Sequence, residues 1–207
     1  MRGTGFAVSD GHLIATNAHV VPDILDAATN ETLVALLPGS GELQPRELQL
    51  VAKDVTHDLA LLRLAGAPLS PVTLRNPESV LEGQSVAFTG FPIGGSLGFS
   101  PVTHRGTISA ISPISLPGAT AQRLNEKMIR QLRHGTFMIF QLDATAYPGN
   151  SGSPMFDPDT GEVLGLINMV FIKTTREASL SQPSGISYAI PANFLLDLLG
   201  TQQKLGH

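Results

Sequence analysis

The chain has 207 residues, of which 42% are hydrophobic and 14% are charged, a balance that favours a packed core and excludes intrinsic disorder. Its net charge of -4, with no run of Lys and Arg, argues against a nucleic-acid partner. The absence of cysteine excludes a disulfide framework, a thiol nucleophile and a Cys-ligated zinc site.

High counts of glycine and proline, 21 and 15, are typical of short strands joined by turns and favour an all-β protein. In the first half of the chain, apolar runs and alternation predict strands at 5–8, 12–16, 32–37, 47–52, 59–64 and 84–89. The first two form a hairpin that turns at Ser9-Asp10-Gly11. A Gly/Pro-rich stretch at 90–95 predicts a boundary between an N-terminal subdomain (1–92) and a C-terminal one (93–207).

The second half contains further strand candidates, at 103–111, 136–142, 153–156, 163–170 and 185–190. Two other segments have helical spacing. Residues 120–133 predict a surface helix over the core or, as the alternative, a lid or regulatory loop beside a functional site. Residues 192–199 predict a terminal helix docked on the β-structure, because they carry Phe194, Leu195, Leu198 and Leu199.

Three short motifs carry residues suited to nucleophilic chemistry: ATNAHVV at 15–21, THDLALL at 56–62 and YPGNSGSP at 147–154. Acyl transfer by a serine needs a base that takes the hydroxyl proton and an acid that holds the base in the correct tautomer. His19, Asp58 and Ser151 are the candidates for base, acid and nucleophile. Their order in the chain differs from the Ser, acid, His order of α/β-hydrolases and from the Asp, His, Ser order of subtilisins.

The glycines around Ser151 meet a further requirement, which is a set of backbone N–H groups aimed at a developing oxyanion. Gly149 and Gly152 allow backbone conformations that other residues resist. We therefore expect the oxyanion donors to come from the backbone N–H groups of Gly149, Asn150 and Ser151.

Three neighbouring residues compete for these roles. Asp54 is the alternative acid, but Asp58 directly precedes the buried run, where a carboxylate needs a partner. His57 adjoins Asp58, but neighbouring strand residues point to opposite faces, so we do not expect His57 in the triad. Ser153 is the alternative nucleophile, but Ser151 holds the glycine-flanked position.

The chain resembles the HtrA/DegP group of trypsin-like serine proteases. The stretch GTGFAVSDGHLIATNAHVV resembles that family's opening strands and histidine loop, and HDLALLRL resembles its aspartate strand. GNSGSPMFDPDTGEVLGLINMV and GISYAIPANF resemble its serine loop and closing strands. The resemblance implies a chymotrypsin-like fold with two six-stranded antiparallel β-barrels and a C-terminal helix, with His19 and Asp58 on the first barrel and Ser151 on the second.

The resemblance also implies a function. The expected protein is a serine endopeptidase of protein quality control, which hydrolyses unfolded or misfolded polypeptides. It would act through an acyl-enzyme intermediate and would need no metal or organic cofactor. The alternatives are a chaperone-like or binding module with a resting or vestigial protease site, and a hydrolase of small esters. Polypeptide substrates are the expected partners, and an oligomer is compatible with the chain but not implied by it.

The family resemblance implies a periplasmic or otherwise extracytoplasmic location, although no signal peptide is recognised at the start of this chain. No apolar run reaches the length of a membrane span, so membrane insertion is not expected. No PDZ domain is expected after the terminal helix.

Carried over from the family, the substrate pocket is lined by six residues: Thr145, Ala146, Asn168, Met169, Val170 and Gly185. No acidic residue falls at its expected base, so a preference for Arg or Lys is not expected. The glutamyl endopeptidases place a histidine on the strand that here reads Leu166 to Met169, and its absence argues against glutamate specificity. Small or medium apolar side chains are the expected preference.

Two positions differ from the patterns of related proteases. Ser153 stands where the HtrA family usually has glycine. Asn150 stands where chymotrypsin-type zymogens have an aspartate that pairs with a freshly cut N-terminal amine. Because an asparagine cannot form that ion pair, we expect no activation by N-terminal cleavage, and we expect neighbouring loops to order the oxyanion segment.

Overall fold

A computed structural model describes residues 3–22, 32–37, 43–92, 100–114, 136–169 and 185–205. Within these ranges the chain forms eleven β-strands, one α-helix and two short 3₁₀ helices. This agrees with the predicted all-β class. The helix predicted at 120–133 lies outside the described residues.

The first sheet contains five antiparallel strands in the order β1-β2-β5-β4-β3. The strands are β1 (Phe6–Val8), β2 (Leu13–Asn17), β3 (Val34–Leu37), β4 (Gln44–Asp54) and β5 (Leu59–Leu64). The predicted hairpin is confirmed, with Phe6 opposite Ala15, and its turn places both Ser9 and Gly11 at positive φ. The apolar run of β5 lies between β2 and β4 and is buried except at Arg63.

The second sheet is a closed barrel of six strands in the order β10-β11-β8-β7-β6-β9. Its strands are β6 (Ser85–Gly90), β7 (Val102–Pro113), β8 (Met138–Asp143), β9 (Pro154–Phe156), β10 (Val163–Asn168) and β11 (Ile186–Pro191). The short strand β9 closes the barrel, because it pairs with β10 on one side and with β6 on the other.

Two details differ from the sequence-based expectation. In the described part of the chain, the first sheet has five strands and is not a closed six-stranded barrel. Strand β6, which lies before the predicted boundary at residue 92, pairs with β7 and β9 in the closed barrel. The Gly/Pro-rich stretch at 90–95 therefore follows a strand of that barrel, and the two sheets divide the chain between β5 and β6.

The helix α1 (Ala192–Leu205) fastens the two sheets together. Its buried residues Leu195 and Leu199 share an apolar cluster with Phe6 and Leu59 of the first sheet and with Leu166 of the barrel. Burial of each such large apolar side chain contributes about 1.5–3 kcal/mol. This apolar cluster therefore contains residues of both sheets and of the helix. In the described part of the chain, no helix combines the length and hydrophobicity needed to cross a bilayer.

Candidate active site

His19 and Asp58 meet where β2 ends and the neighbouring strand β5 begins. His19 lies in the 3₁₀ helix Ala18–Val20, which follows β2, and Asp58 directly precedes β5. The His19 Nδ1 atom is 2.6 Å from Oδ2 of Asp58, and the backbone N–H of His19 donates to Oδ1 at 2.8 Å. Their side chains are 18% and 12% exposed. Both oxygens of one carboxylate are thus bound to the same histidine.

This contact fixes the tautomer of His19. A carboxylate has only acceptor oxygens, so Nδ1 of His19 carries the hydrogen in the contact with Asp58. The neutral ring then has its lone pair on Nε2. The pair therefore presents a base at Nε2.

The backbone of Asp58 is anchored to the residues that precede His19. Its carbonyl accepts hydrogen bonds from the backbone N–H of Ala18 at 3.0 Å and from Nδ2 of Asn17 at 3.1 Å. Asp58 has a φ of 55°, in the left-handed region, which aspartate tolerates better than most residues. The acid is therefore held by its backbone as well as by its carboxylate.

A third side chain reaches the same carboxylate from the barrel. Asn168, the last residue of β10, is fully buried, and its Nδ2 donates to Oδ2 of Asp58 at 2.7 Å. The sequence predicted Asn168 as a wall of the substrate pocket, and in the structure its side chain contacts the acid. The signal for this role in the sequence was that Asn168 is a polar residue at the end of the otherwise apolar strand VLGLIN.

Ser151 lies in the second of two consecutive tight turns. The N–H of Asn150 donates to the carbonyl of Tyr147, and the N–H of Ser153 donates to the carbonyl of Asn150, both at 2.9 Å. The third residue of each turn is a glycine at positive φ, 105° at Gly149 and 85° at Gly152, as type II turns require. The glycines predicted to shape this loop therefore have a specific conformational role.

The first of these turns changes the list of oxyanion donors. The N–H of Asn150 already donates to the carbonyl of Tyr147, so it is not free to donate to an oxyanion. Asn150 is therefore corrected as a donor, and the N–H groups of Gly149 and Ser151 remain as the candidates.

The Ser151 turn packs against the residues beside the His–Asp pair. The N–H of Gly152 donates to the carbonyl of Ile167, the neighbour of Asn168, at 2.9 Å. A Cβ atom on Gly152 would lie 3.2 Å from the backbone nitrogen of Asn17. The structure thus brings the turn that carries Ser151 between the end of β2 and the end of β10, where Asp58 is also held.

Ser153 packs against Gly90, which has no side chain and is the last residue of β6. Its side chain is fully buried, and a Cβ atom on Gly90 would lie only 2.0 Å from its Oγ atom and 2.7 Å from Oδ1 of Asn150. Gly90 therefore leaves the space into which the Ser153 hydroxyl fits.

The competing residues His57 and Asp54 form a second pair. Nδ1 of His57 is 2.6 Å from Oδ2 of Asp54, whose Oδ1 accepts the N–H groups of Thr56 and His57. The His57 ring stacks on Phe194 at 4.0 Å and meets the edge of Phe137 at 4.8 Å. Burial opposes ionisation of Asp54, but the hydrogen bonds from His57 and Thr56 outweigh it and lower the pKa of this carboxyl.

Neither pair belongs to a metal centre that the structure describes. Among the residues with described positions, no three His, Asp or Glu side chains are grouped so that they could hold a metal ion.

The predicted pocket segments are joined by Ser187. Its Oγ donates to the carbonyl of Ala144 at 2.7 Å and accepts the N–H of Ala146 at 3.0 Å. The N–H of Ala144 also donates to the carbonyl of Gly185 at 2.9 Å. The structure therefore brings the segment that contains Thr145 alongside Gly185, and sequence reasoning had not singled out Ser187.

Three further residues were predicted to line the pocket: Ala146, Met169 and Val170. Met169 is 7% exposed and packs in the core of the barrel, where Ala146 contacts the same apolar cluster. Val170 lies outside the described residues. The lining of the substrate pocket stays a prediction.

Comparison with known proteins assigns the family. Residues 3–166 match the trypsin-like peptidase domain family. The chain belongs to this family. A probable periplasmic serine endoprotease, DegP-like, from Halomonas elongata is 34% identical over 199 residues, which cover 95% of this chain and 34% of that protein. The chain spans about a third of the length of the curated relatives it matches.

Solved structures confirm the fold of this trypsin-like peptidase domain. The HtrA-type protease AlgW with a decapeptide has a TM-score of 0.68 at 22% identity, covering 98% of this chain and 51% of that chain. A serine endoprotease from Yersinia pestis has a TM-score of 0.66 at 23% identity, with coverages of 99% and 58%. The predicted chymotrypsin-like class and the resemblance to the HtrA/DegP group are therefore confirmed.

Proposed function

We propose that this chain is a serine endopeptidase in which Ser151 is the nucleophile, His19 the general base and Asp58 the acid that orients His19. The observation that carries the proposal is the His19–Asp58 pair, which lies beside the glycine-flanked turn of Ser151. Membership of the trypsin-like peptidase family and the serine endoprotease names of the relatives support it.

The arrangement of hydrogen-bond donors and acceptors in the site suits acyl transfer. Nε2 of His19 takes the hydroxyl proton as Oγ of Ser151 attacks the peptide carbonyl, and it returns the proton to the leaving amine. Asp58 stabilises the imidazolium that forms in between. Its carboxylate is already bound by His19 and Asn168, so little reorganisation accompanies the proton transfer. A water molecule then hydrolyses the acyl-enzyme by the same route.

The oxyanion of the tetrahedral intermediate is assigned to the N–H groups of Gly149 and Ser151. Loss of one such donor costs about 10²–10³-fold in kcat in related chemistry. Each of the two tight turns in this segment has a glycine at its positive-φ position. The proposed oxyanion donors are backbone N–H groups, so they need no cofactor.

The proposed substrates are unfolded or loosely folded polypeptides, as the resemblance to the HtrA/DegP group implies. The relatives' names support the coarser statement that the substrates are polypeptides, because they describe serine endoproteases. An extended peptide suits a cleft between two β-structures, because it can pair as an added strand. With Ala146 and Gly185 near the predicted pocket, we expect small or medium apolar side chains before the scissile bond. The periplasmic names of the relatives support an extracytoplasmic location, which cell fractionation tests.

The proposal is tested with the protein and two serine variants. Unfolded casein is incubated with the unmodified protein, with Ser151→Ala and with Ser153→Ala, and the cut sites are read by mass spectrometry. We expect Ser151→Ala to lose cleavage and Ser153→Ala to retain it, because the Ser153 hydroxyl is fully buried against Gly90. The cleavage profile then gives the specificity directly.

Three outcomes would contradict the proposal in distinct ways. Cleavage that survives in Ser151→Ala but not in Ser153→Ala would reassign the nucleophile. Casein that binds to all three proteins without being cut would indicate a binding module. A profile dominated by Lys, Arg or Glu would overturn the expected pocket chemistry.

A further inference from the structure

Thr4, which precedes β1, contacts the turn that carries Ser151. Thr4 is 4% exposed, and its side chain contacts Gly149, which lies 145 residues further along the chain. The backbone N–H of Thr4 donates to the carbonyl of Ser151 at 2.8 Å, and its Oγ1 donates to the carbonyl of Gly149 at 2.8 Å. One residue from the start of the first sheet therefore binds two carbonyls of the proposed oxyanion segment.

The remaining polar groups of Thr4 anchor it to both sheets. Its carbonyl accepts the hydroxyl of Thr16, in β2, at 2.7 Å. Its own hydroxyl accepts the N–H of Phe91, which follows β6, at 3.1 Å. The hydroxyl is thus donor and acceptor at once, and it joins Gly149 to the end of β6.

The two carbonyls that Thr4 holds lie on either side of a proposed oxyanion donor. Because each peptide group is planar, a fixed carbonyl fixes the N–H of the following residue. Thr4 holds the peptide between Gly149 and Asn150 and the peptide after Ser151. The peptide between them supplies the Ser151 N–H, so its orientation is constrained from both ends.

Such an anchor is needed at this segment. Glycine moves between regions of φ and ψ at little steric cost, and the double turn contains Gly149 and Gly152, both at positive φ. Asn150 has no charge with which to form an ion pair. The hydrogen bonds from Thr4 supply an ordering force that comes from outside the segment.

We propose that Thr4 is a positioning residue for the oxyanion hole, and that its hydroxyl holds the Gly149–Ser151 segment in the form that binds the transition state. This inference rests on the proposed function, since it assigns a support to the same site. Thr4 does not touch the substrate or the reacting atoms. Its effect is expected on kcat through the geometry of the Ser151 N–H group.

The first test replaces the hydroxyl while keeping the shape of the side chain. Thr4→Val is compared with Thr4→Ser, which keeps the hydroxyl, on a peptide chosen from the casein cut sites. We expect Thr4→Val to lower kcat by about 10- to 100-fold, because misplacement of a catalytic group by about 1 Å costs a factor of this size. KM should stay within about threefold, as expected when an interaction made only in the transition state is lost.

The control is Thr201→Val on α1. The Thr201 hydroxyl also donates to a backbone carbonyl, that of Asp197 at 2.9 Å, but on the exposed side of the terminal helix. This variant should keep the kcat of the unmodified protein. If Thr4→Val does not fold, Thr4→Ala replaces it in the same comparison with Thr4→Ser. Full kcat in a folded Thr4 variant without the hydroxyl, or no rescue by Thr4→Ser, would overturn the inference.

The second test does not depend on activity. Amide hydrogen exchange of the segment 147–153 is followed by mass spectrometry in the same variants at a temperature well below Tm. We expect exchange in this segment to be faster by about tenfold in Thr4→Val and unchanged in Thr4→Ser and Thr201→Val. Faster exchange in Thr4→Val of a protein that never cleaves casein would support the anchor and contradict the proposed function. Unchanged exchange together with normal cleavage would leave the function intact and overturn the anchor.

Discussion

Two His–Asp pairs flank the same short turn, and both have an Nδ1–Oδ2 distance of 2.6 Å. In the pair His19–Asp58, the carboxylate also accepts a buried amide from Asn168, and the Ser151 turn lies alongside. In the pair His57–Asp54, the ring is covered by two phenylalanines. The contact distance is therefore the same in both pairs, and the surroundings distinguish a candidate base from a structural histidine.

The two pairs also differ in the structural elements to which they are bound. Asp58 is bound to residues of both sheets, since His19 lies after β2 and Asn168 ends β10. Asp54 binds its own turn, and its histidine rests on the terminal helix through Phe194. We infer that the first pair is built for chemistry between the sheets and that the second stabilises the β4–β5 turn against α1.

The sharpest way to separate the pairs is to remove each histidine. His19→Ala should lower kcat/KM by at least about 10⁴-fold, because the residues of a catalytic triad, as proposed here, act as a unit. His57→Ala should keep kcat/KM close to that of the unmodified protein and lower Tm by several degrees, because it loses the aromatic contacts, worth about 0.5–1.5 kcal/mol, and a hydrogen bond. Kinetics and thermal melts on both variants check this. A comparable loss of activity in both would remove the distinction.

A smaller effect is expected at Asn168. Asn168→Ala removes the amide that Asp58 accepts, and a hydrogen bond to a charged group contributes about 1.5–3 kcal/mol. We expect kcat to fall by about 10- to 100-fold with little change in KM. Asn76→Ala is the matched control, because the side chain of this exposed asparagine also makes a hydrogen bond, in which it accepts the N–H of Glu78 at a 3₁₀ helix. Normal kcat in Asn168→Ala would show that His19 alone is sufficient to hold the acid.

The smallest effect concerns the pH dependence of stability at the second pair. The folded-state pKa of Asp54 is lowered, so its carboxylate stabilises the fold fully above the unfolded pKa of about 3.9. That contribution is lost as the pH falls through the lower, folded-state value. Urea unfolding from pH 7 to pH 3 should therefore show a gap between the unmodified protein and Asp54→Asn that narrows below about pH 4.

A double-mutant cycle tests the cause of that gap. In a His57→Ala background, Asp54→Asn should have a smaller effect on the free energy of unfolding at pH 7, because the histidine partner is already gone. A gap of equal size in both backgrounds, or one that widens in acid, would contradict the assignment.

Local patterns were sufficient for most of the fold. The strands follow from alternation and apolar runs, and the hairpin of β1 and β2 follows from its turn residues. The sheet to which a strand belongs is not a local property. The Gly/Pro-rich stretch at 90–95 looks like a boundary, although β6 before it pairs with β7 and β9. Closure of the first sheet was likewise expected from the family and differs in the described part of the chain.

The candidate site likewise has residues that local sequence motifs predict and residues that they do not predict. His19, Asp58 and Ser151 each stand in a motif of adjacent residues, so their order and neighbours mark them. The supports of those residues come from far along the chain: Asn168 is 110 residues from Asp58, and Thr4 is 145 residues from Gly149. Nothing in the residues next to Asn168 or Thr4 specifies the partner. Such contacts arise only when the two sheets pack against each other.

The space at Gly90 has a consequence for how sequences of this kind diverge. The hydroxyl of Ser153 occupies the volume that a side chain at position 90 would need. Related sequences that have glycine at position 153 lack this hydroxyl, and a Cβ atom at position 90 would then meet Asn150 Oδ1 at 2.7 Å and Thr4 Oγ1 at 3.1 Å as its nearest neighbours. We therefore expect an ancestor to have acquired serine at 153 only where glycine already stood at 90.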